Sequence, residues 1–292
     1  VVLGPTASGK TDLSLKIAKY IKGEIISTDS RQLYKGIKIS SDVLDIEKRE
    51  GIPHHMIEIC PIEKELSFAE YKDMAIKKIN EIKKRKHIPM LVGGTGLYIS
   101  GIIEGYDVPR VPPDKKLREK LYAQAEKYGA EFVHNQLKKI DPEAAKRIHP
   151  NNVRYVVRAI EINKKTGANK PDKKEIGEKF AVMMIGIERP REELYARIER
   201  RVDDQVKRGL LKEVKKTVNK LCKIKKTNME NIERNLPPSM SSLGIKEFIP
   251  YLKKEKTLDE CVEILKKNTR NYAKRQLTWF KRYKKIFWIK SK

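Results

Sequence analysis

The sequence predicts an α/β protein in which helices flank a parallel β-sheet and an all-helical domain is inserted. Three observations support this fold class. Apolar strand-like segments alternate with helical ones over about the first 100 residues, charged helical segments follow from Pro112, and an apolar segment returns at residue 180. Alternation of this kind is typical of parallel sheets with right-handed crossovers.

The amino-terminal third contains three predicted strands, at residues 1–3, 24–30 and 87–96. Helical apolar spacing follows residue 10, and a second predicted helix covers residues 67–86. Parallel strands place their carboxyl ends at one edge of the sheet, where ligands collect. We therefore expect the loops GPTASGKT, STDSRQLY and GGTGLY to converge there.

The predicted insertion spans residues 112–178 and divides a core domain made of residues 1–111 and 179–292. Its helices are predicted at 112–129, 130–140, 141–148 and 151–167. The core resumes with a strand at 180–191 and a helix at 191–218. A polar, turn-rich surface loop at 222–240 precedes helices at 241–254 and 258–285, and IFWI at 286–289 is a candidate closing strand.

The composition is that of a basic protein. Among 292 residues, Lys and Arg number 65 against 39 Asp and Glu, which gives a formal net charge of +26. Solvated Lys-rich faces can account for part of this excess. A surplus this large nevertheless predicts attraction to a polyanion, with binding that weakens as salt rises.

No apolar run approaches the length of about 20 residues that spans a bilayer, so we expect no membrane segment and a cytoplasmic location. Cys60, Cys222 and Cys261 are widely spaced and match neither a metal site nor a disulfide framework. A reducing compartment follows from this cysteine usage. Because Val1 lies inside a predicted strand, we expect a few residues to precede it.

The segment GPTASGKT fits the phosphate-binding P-loop pattern G-x-x-x-x-G-K-[ST], and a strand and a helix flank it as that loop requires. The glycines let backbone N–H groups turn towards an oxyanion, and the helix that follows directs its amino terminus at the same anion. Lys10 adds a mobile charge and Thr11 offers a hydroxyl to Mg²⁺. A P-loop NTPase-like core is therefore predicted, with a phosphate-binding set of Gly4, Pro5, Thr6, Ala7, Ser8, Gly9, Lys10 and Thr11.

The usual acidic partner of a P-loop is missing. P-loop NTPases generally have a strand that ends in Asp, which orders Mg²⁺, whereas IPMLV here ends in GGTG. The available carboxylate is Asp29, at the end of the neighbouring strand. It could hold Mg²⁺ through water, accept a proton from a nucleophile, or merely cap a turn. Thr95, among glycines that permit close approach to a ligand, is placed similarly.

Six colinear motifs resemble the bacterial tRNA dimethylallyltransferase family. They are GPTASGKT, DSRQLYKGIKI, LVGGTGLYISGII, DPEAAKRIHPNNVRYVVRAIE, LYARIERRVDDQVKRGLLKEV and YAKRQLTWFKR, and together they run nearly the length of the chain. The resemblance implies a dimethylallyl diphosphate donor, Mg²⁺, and a tRNA whose adenosine next to the anticodon is flipped into a channel. The loop would then hold the diphosphate leaving group, for which no nucleotide hydrolysis is needed.

The resemblance also implies roles for individual residues. The adenine N6 would attack C1 of the donor, Asp29 would take the N6 proton, and Thr95 would help to position the reacting groups. Arg201 matches the family's diphosphate-contacting arginine, with Arg197 a weaker candidate. The tRNA contacts that carry over are Asp29, Ser30, Arg31, Gln32, Arg118, Arg154, Tyr155, Val156, Val157, Arg158, Ser241, Ser242, Leu243, Gly244, Ile245, Lys246, Lys274, Arg275, Gln276, Leu277, Thr278, Trp279, Phe280 and Lys281.

Some positions depart from the family pattern or have a second interpretation. Tyr155 replaces an arginine, Ile245 replaces an aromatic residue, and SMSSLG lacks a basic residue. Helical spacing favours a core position for Trp279, with the basic side chains of that helix facing phosphate.

Alternative functions remain open from the sequence. An adenylate isopentenyltransferase shares the donor site, but those enzymes lack the full insertion and the basic carboxyl-terminal helix. A P-loop kinase or an inert nucleic-acid-binding module are the other possibilities. We expect a monomer, since one protein can surround one anticodon stem-loop.

Overall fold

The structure is a computed structural model that describes residues 1–106, 109–167, 180–237, 240 and 243–290. It contains two compact units. One comprises residues Val1–Ile103 and Phe180–Lys292, and the other comprises Glu104–Lys179.

The first unit is built on a six-stranded sheet in the order β3-β2-β4-β1-β5-β6. Every neighbouring pair is parallel, with Ile25 opposite Met90 and Ile185 opposite Phe287 as examples of the register. The predicted parallel α/β sheet is therefore confirmed, including the closing strand. The strands are β1 (Val2–Leu3), β2 (Gly23–Ser27), β3 (His54–His55), β4 (Ile88–Gly93), β5 (Met184–Glu188) and β6 (Ile286–Lys290).

Helices of this unit pack on the sheet through apolar faces. In α2, for example, the buried residues Tyr71, Ala75, Ile79 and Ile82 recur at helical spacing, and Ser67 with Glu70 forms a capping box at its start. The helices are α1 (Lys10–Ile21), α2 (Phe68–Lys84), α3 (Gly96–Ile103), α8 (Arg191–Lys207), α9 (Leu210–Lys225), α10 (Ile249–Leu252) and α11 (Leu258–Phe280).

The second unit is a helical bundle around its own apolar core, in which Leu121, Val133, Leu137 and Ile160 are buried. Asp114 and Asp141 accept hydrogen bonds from the first turns of two of these helices, as amino-terminal capping residues do. Its helices are α4 (Lys115–Tyr128), α5 (Ala130–Ile140), α6 (Pro142–Arg147) and α7 (Val153–Thr166).

Three local predictions were wrong. The single helix expected at 191–218 is two helices, because the chain turns at Gly209. The expected surface loop at 222–240 includes the end of α9, and its Ile232 and Met240 are fully buried in the main core. Ile232 and Met240 are apolar residues in an otherwise polar segment, so the composition of the segment as a whole indicated a surface loop.

The helix expected at 241–254 is reduced to a 3₁₀ turn at Lys246–Phe248 and the short α10 at Ile249–Leu252, where Pro250 occupies the first turn. In addition, the two-residue strand β3 was not predicted, because it is too short to show a pattern.

The amino-terminal end of β2 carries a buried ion cluster. The Glu24 carboxylate accepts a hydrogen bond from His55 Nε2 at 2.6 Å and from His87 Nδ1 at 2.8 Å, and both Arg85 Nε and Nη2 donate to it. Burial by itself raises the pKa of Glu24, but these hydrogen bonds outweigh it and bring the pKa to about 2. Glu24 therefore stays ionised inside the fold.

Candidate active site

The P-loop lies where the sequence places it, between β1 and α1. Gly9 is the N-cap of α1 with φ of +98°, a conformation that glycine adopts without strain. The first-turn N–H groups of α1 have no acceptor within the helix. The Ser8 hydroxyl is buried, and no group in the described part of the chain hydrogen bonds it. A loop with open N–H groups and an unpaired hydroxyl is suited to an anion.

Two arginines donate hydrogen bonds to backbone carbonyls of this loop. Arg189 Nε donates to the Ser8 carbonyl at 2.7 Å, and Arg197 Nε donates to the Ala7 carbonyl at 2.8 Å. Engaging the carbonyls leaves the N–H side of the loop for a ligand. Sequence reasoning passed over Arg189, although its position directly after β5, a strand adjacent to β1, is the feature that could have identified it.

Lys10 lies in the loop with a depressed pKa. Its Nζ donates to the Pro5 carbonyl at 2.6 Å. Burial lowers the pKa most, the positive charge of Arg201 lowers it further, and the Asp29 and Asp42 carboxylates raise it, which leaves the pKa at about 8. Lys10 is therefore largely protonated at neutral pH, within electrostatic reach of both predicted site residues Asp29 and Arg201.

A cavity of about 440 Å³ lies beside the P-loop and is rich in cations. Its lining includes residues 7–11 and, from α8, Arg197, Arg200 and Arg201. The Asp42 carboxylate pairs with Arg201 at 3.3 Å and with Arg208 at 3.0 Å. The structure thus brings residues 7–11 of the predicted P-loop and Arg201 to one cavity, with Thr11 on its lining.

The loops after β2 and β4 are joined by hydrogen bonds around Asp29 and Thr95. Ser30 N donates to Thr95 Oγ1 at 3.0 Å, and Thr95 N donates to the Thr28 carbonyl at 3.1 Å. The half-buried Asp29 carboxylate accepts a hydrogen bond from Arg31 N at 2.8 Å, which closes a local turn. The two predicted catalytic side chains therefore occupy neighbouring, mutually braced loops.

Gln32 braces the same region from inside. Its Oε1 accepts from Ser27 Oγ at 2.8 Å, and its Nε2 lies 3.3 Å from the carbonyl oxygens of Ser41 and Asp42. These bonds connect the end of β2 to the loop that carries Asp42. The side chain predicted to contact tRNA is therefore engaged within the protein.

Tyr272, on α11, is a site residue that sequence reasoning did not select. It forms a side-chain hydrogen bond with Thr95, and burial followed by the negative charge of Asp29 raises its pKa to about 12 despite the opposing effects of Thr95 and nearby arginines. Its hydroxyl is therefore protonated at neutral pH and lies beside both predicted catalytic residues. In the sequence it is the first residue of the motif YAKRQLTWFKR, but the contacts carried over from that motif begin at Lys274.

The predicted tRNA contacts of the helical unit fall into three environments. Arg118 binds the buried Glu161 carboxylate with Nε at 2.9 Å and Nη2 at 2.8 Å, and Arg158 pairs with the same carboxylate. Val156 and Val157 are buried in the core, whereas Arg154 is exposed and Tyr155 is 57% exposed. Among the predicted contacts of this segment, Arg154 and Tyr155 are therefore the exposed side chains.

The segment predicted at 241–246 is only partly described. Ser241 and Ser242 lie outside the described residues. Ile245 is fully buried, Leu243 packs at the edge of the main core, and Gly244 N donates to the Glu247 carboxylate at 2.9 Å. Lys246 is exposed.

The carboxyl-terminal helix presents two faces over residues 274–281. Lys274, Arg275, Thr278 and Lys281 are exposed. Phe280 is fully buried, Leu277 packs against a core cluster, and the half-buried Trp279 donates through Nε1 to Ser100 Oγ at 3.0 Å. The inward orientation predicted for the aromatic residues is confirmed. Gln276 also points inward, between two loops of the site.

Across the described residues, none of the helices is both long enough and apolar enough to cross a membrane.

Comparison with known proteins identifies the family of this chain. Residues 32–283 match the family model described as IPP transferase. A protein of Halothermothrix orenii named tRNA dimethylallyltransferase is 46% identical, over 99% of this chain and 86% of its own length. Similar solved structures include the tRNA isopentenylpyrophosphate transferase of Bacillus halodurans, with 40% identity and a TM-score of 0.69 over 99% of this chain and 88% of that one.

A eukaryotic dimethylallyltransferase acting on tRNA has a TM-score of 0.82 and 32% identity, over 99% of this chain and 72% of its own. The similarity to each of these two solved structures extends over 99% of this chain, so it includes the P-loop, the Asp29 loop and the carboxyl-terminal helix. The family model and these relatives show that the chain belongs to the IPP transferase family.

Proposed function

We propose that this protein transfers a dimethylallyl group from dimethylallyl diphosphate to N6 of the adenosine on the 3′ side of the anticodon in tRNA. The proposal rests on a cationic P-loop cavity that lies close to a loop with a carboxylate. The charge of Asp29 raises the pKa of Lys10, which places the two within electrostatic reach of each other. An alkyl transfer of this kind needs an anion site for the leaving group next to a base for the nucleophile.

The diphosphate binds at the P-loop. The N–H groups of the first turn of α1, the Ser8 hydroxyl, Lys10 and Arg201 contribute donors and positive charge there. Charge accumulates on the bridging oxygen as the carbon–oxygen bond breaks, so preorganised donors stabilise the transition state more than the bound substrate.

The residues present fit Mg²⁺. Thr11 presents a hydroxyl oxygen at the cavity, which also has the carboxylates of Asp12, Asp42 and Asp45 on its lining. The described residues contain no group of three or more His, Cys, Asp or Glu side chains placed for a metal. Mg²⁺ bound by few protein ligands takes its other ligands from substrate phosphates and water. Bound through Thr11, the ion would neutralise charge on the departing diphosphate.

The reaction is a substitution at an allylic carbon. The lone pair of adenine N6 forms a bond to C1 of the donor while the bond from C1 to the diphosphate oxygen breaks and its electron pair leaves with the diphosphate. Asp29 accepts the N6 proton, Thr95 holds the adjoining backbone at Ser30 N, and the protonated Tyr272 hydroxyl lies within electrostatic reach of the Asp29 carboxylate. Their role is to orient Asp29 towards the amine.

The basic exposed side chains supply the attraction for RNA. Arg154 in the helical unit and Lys274, Arg275 and Lys281 on α11 are exposed cations that can bind phosphate. Tyr155 offers an exposed ring for stacking on a base. With a net charge of +26, binding of tRNA weakens steeply with salt. We propose that a monomer performs the reaction in the cytoplasm.

The test is a mass-spectrometric assay with dimethylallyl diphosphate and Mg²⁺. The acceptors are an unmodified anticodon stem-loop, the same stem-loop with guanosine at the target position, and free AMP. We expect a dimethylallyl mass gain on the adenosine-bearing RNA alone.

Each other result points to a different function. A gain on AMP but not on RNA identifies an adenylate isopentenyltransferase. ATP turnover without prenyl transfer identifies a kinase, and RNA binding without any turnover identifies a binding module. Any of these three results overturns the proposal.

A further inference from the structure

Gln276 connects two loops of the active site through both ends of its side-chain amide. Its Oε1 accepts a hydrogen bond from Thr6 N in the P-loop at 2.8 Å, and its Nε2 donates to the Gly94 carbonyl in the GGTG loop at 2.9 Å. The side chain is 5% exposed. One partner is an N–H and the other is a carbonyl, so only a group with both an acceptor and a donor satisfies them.

The approach of α11 to the GGTG loop is close. A Cβ on Gly94 would lie 2.0 Å from Gln276 Nε2, and a Cβ on Gly96 would lie 2.1 Å from the Trp279 ring. The helix therefore contacts this loop at Gly94 and at Gly96, and a Cβ at Gly94 would have to displace the Gln276 amide. Contact this tight fixes the loop relative to α11.

The two connected loops carry different halves of the chemistry. The P-loop binds the diphosphate in the proposed function, whereas the GGTG loop holds Thr95, which is braced against the Asp29 loop. The distance between the leaving group and the attacking amine thus depends on how these loops sit relative to each other.

We propose that Gln276 is a positioning residue, which holds the P-loop and the GGTG loop in register so that the donor carbon and the attacking amine stay aligned. The inference rests on the proposed function. It assigns Gln276 contacts within the protein, in place of the tRNA contact that the family resemblance implies. Misplacement of reacting groups by about 1 Å costs on the order of 100-fold in rate.

The first test is Gln276→Met, which keeps the size of the side chain and removes both hydrogen bonds. We expect kcat for the anticodon stem-loop to fall about 10- to 100-fold, with KM for the RNA changed less than about threefold because the exposed cations of α11 remain. The affinity for inorganic pyrophosphate, measured without RNA, falls about tenfold since Thr6 N loses its acceptor.

Thr269→Val is the matched control. Thr269 is buried on the same helix, and its hydroxyl donates to the Leu265 carbonyl within α11, away from both loops. If Gln276 only stabilises the helix, the two variants change kcat and pyrophosphate affinity equally, which overturns the proposal. A normal kcat in folded Gln276→Met also overturns it.

Gln276→Glu supplies a second test that does not depend on the apolar variant folding. The introduced carboxylate accepts from Thr6 N but cannot donate to the Gly94 carbonyl, whereas its protonated form can do both. We expect the ratio of variant to wild-type kcat to rise as pH falls from 8 to 6. A ratio that stays constant overturns the proposal.

Failure of the proposed function is distinguishable from failure of this inference. Wild-type protein that transfers no prenyl group to RNA contradicts the proposed function. Pyrophosphate binding still tests the connection between the loops in that case, since a weaker affinity in Gln276→Met than in Thr269→Val supports it and equal affinities overturn it.

Discussion

Strand β2 carries a carboxylate near each end, and the two have opposite surroundings. Glu24, at the amino end, is buried and hydrogen bonded by Arg85, His55 and His87. Asp29, two residues past the carboxyl end, is half-buried, and its carboxylate accepts a hydrogen bond from the backbone N–H of Arg31. Lys10 and Tyr272 respond to its charge from other elements.

The comparison shows that residue type and strand position do not distinguish a carboxylate held in an ion cluster from one proposed to accept a proton. Hydrogen bonds from Arg85, His55 and His87 keep Glu24 ionised, as expected for a carboxylate in a structural ion cluster. Asp29 keeps an oxygen available at the edge of the sheet where parallel strands collect ligands. The neighbours of a carboxylate, rather than the carboxylate itself, decide what it does.

The largest effect is expected from Asp29→Asn. Asparagine keeps the oxygen that accepts from Arg31 N, so the turn and the free energy of unfolding should be unchanged. It cannot accept the N6 proton, so single-turnover measurements should show the rate of prenyl transfer reduced by about 10²- to 10⁴-fold.

The dependence on Mg²⁺ separates two roles for Asp29. If the lost rate returns as the Mg²⁺ concentration is raised, Asp29 binds the ion and is not the base. A loss that persists at saturating Mg²⁺ supports proton transfer. Retention of more than about a third of the wild-type rate contradicts both roles.

At the other end of the strand, Glu24→Gln should reduce stability rather than chemistry. The pKa of Glu24 is depressed to about 2, so its ionised form stabilises the fold above its unfolded pKa, and this contribution is lost as pH falls from about 5 towards 2. We expect the variant to lose about 3 kcal/mol of unfolding free energy at pH 7, with kcat of the folded enzyme unchanged.

Denaturant unfolding at pH 7 and pH 3 measures this difference. The gap between wild type and Glu24→Gln should narrow at pH 3, because Glu24 in the unfolded chain then binds a proton that the native carboxylate does not, which stabilises the unfolded state. A gap that is equal at the two pH values would show that the carboxylate charge is not the stabilising feature.

A smaller effect is expected from the protonation of Lys10. Its pKa of about 8 means that the cation is present below pH 8 and lost above it in the free protein. Pyrophosphate affinity should therefore fall about tenfold between pH 7 and pH 9 relative to Lys10→Arg, in which the guanidinium stays protonated. Parallel pH profiles of the two proteins, measured by calorimetry, would contradict the assignment.

Much of the fold and part of the site were predictable from sequence. The P-loop pattern states backbone geometry directly, and the strand-end rule places Asp29 and Thr95 near it without any knowledge of contacts. Apolar segments of four or more residues also sufficed to locate the long strands and the closing strand at IFWI.

The remaining features depend on contacts between residues distant in sequence. Arg118 and Arg158 resemble exposed phosphate-binding residues until Glu161 is seen beneath them, and Gln276 resembles its exposed neighbours until α11 is placed against Gly94. Tyr272 gains its role from Thr95, which is far away along the chain. Such pairings are set by tertiary packing, which no local pattern encodes.

The smallest effect in this comparison is expected from His87→Gln. This variant measures how much His87, as one partner of Glu24, contributes to the free energy of unfolding. The His87 side chain is 41% exposed, compared with 20% for His55, and Arg85 already binds both carboxylate oxygens. Glutamine can still donate to Glu24, and a solvent-exposed partner contributes little. We expect a loss below about 1 kcal/mol of unfolding free energy for His87→Gln. A loss as large as that of Glu24→Gln would mean that His87, rather than Arg85, holds the carboxylate, and the fixed character of this end of β2 would then depend on a titratable group.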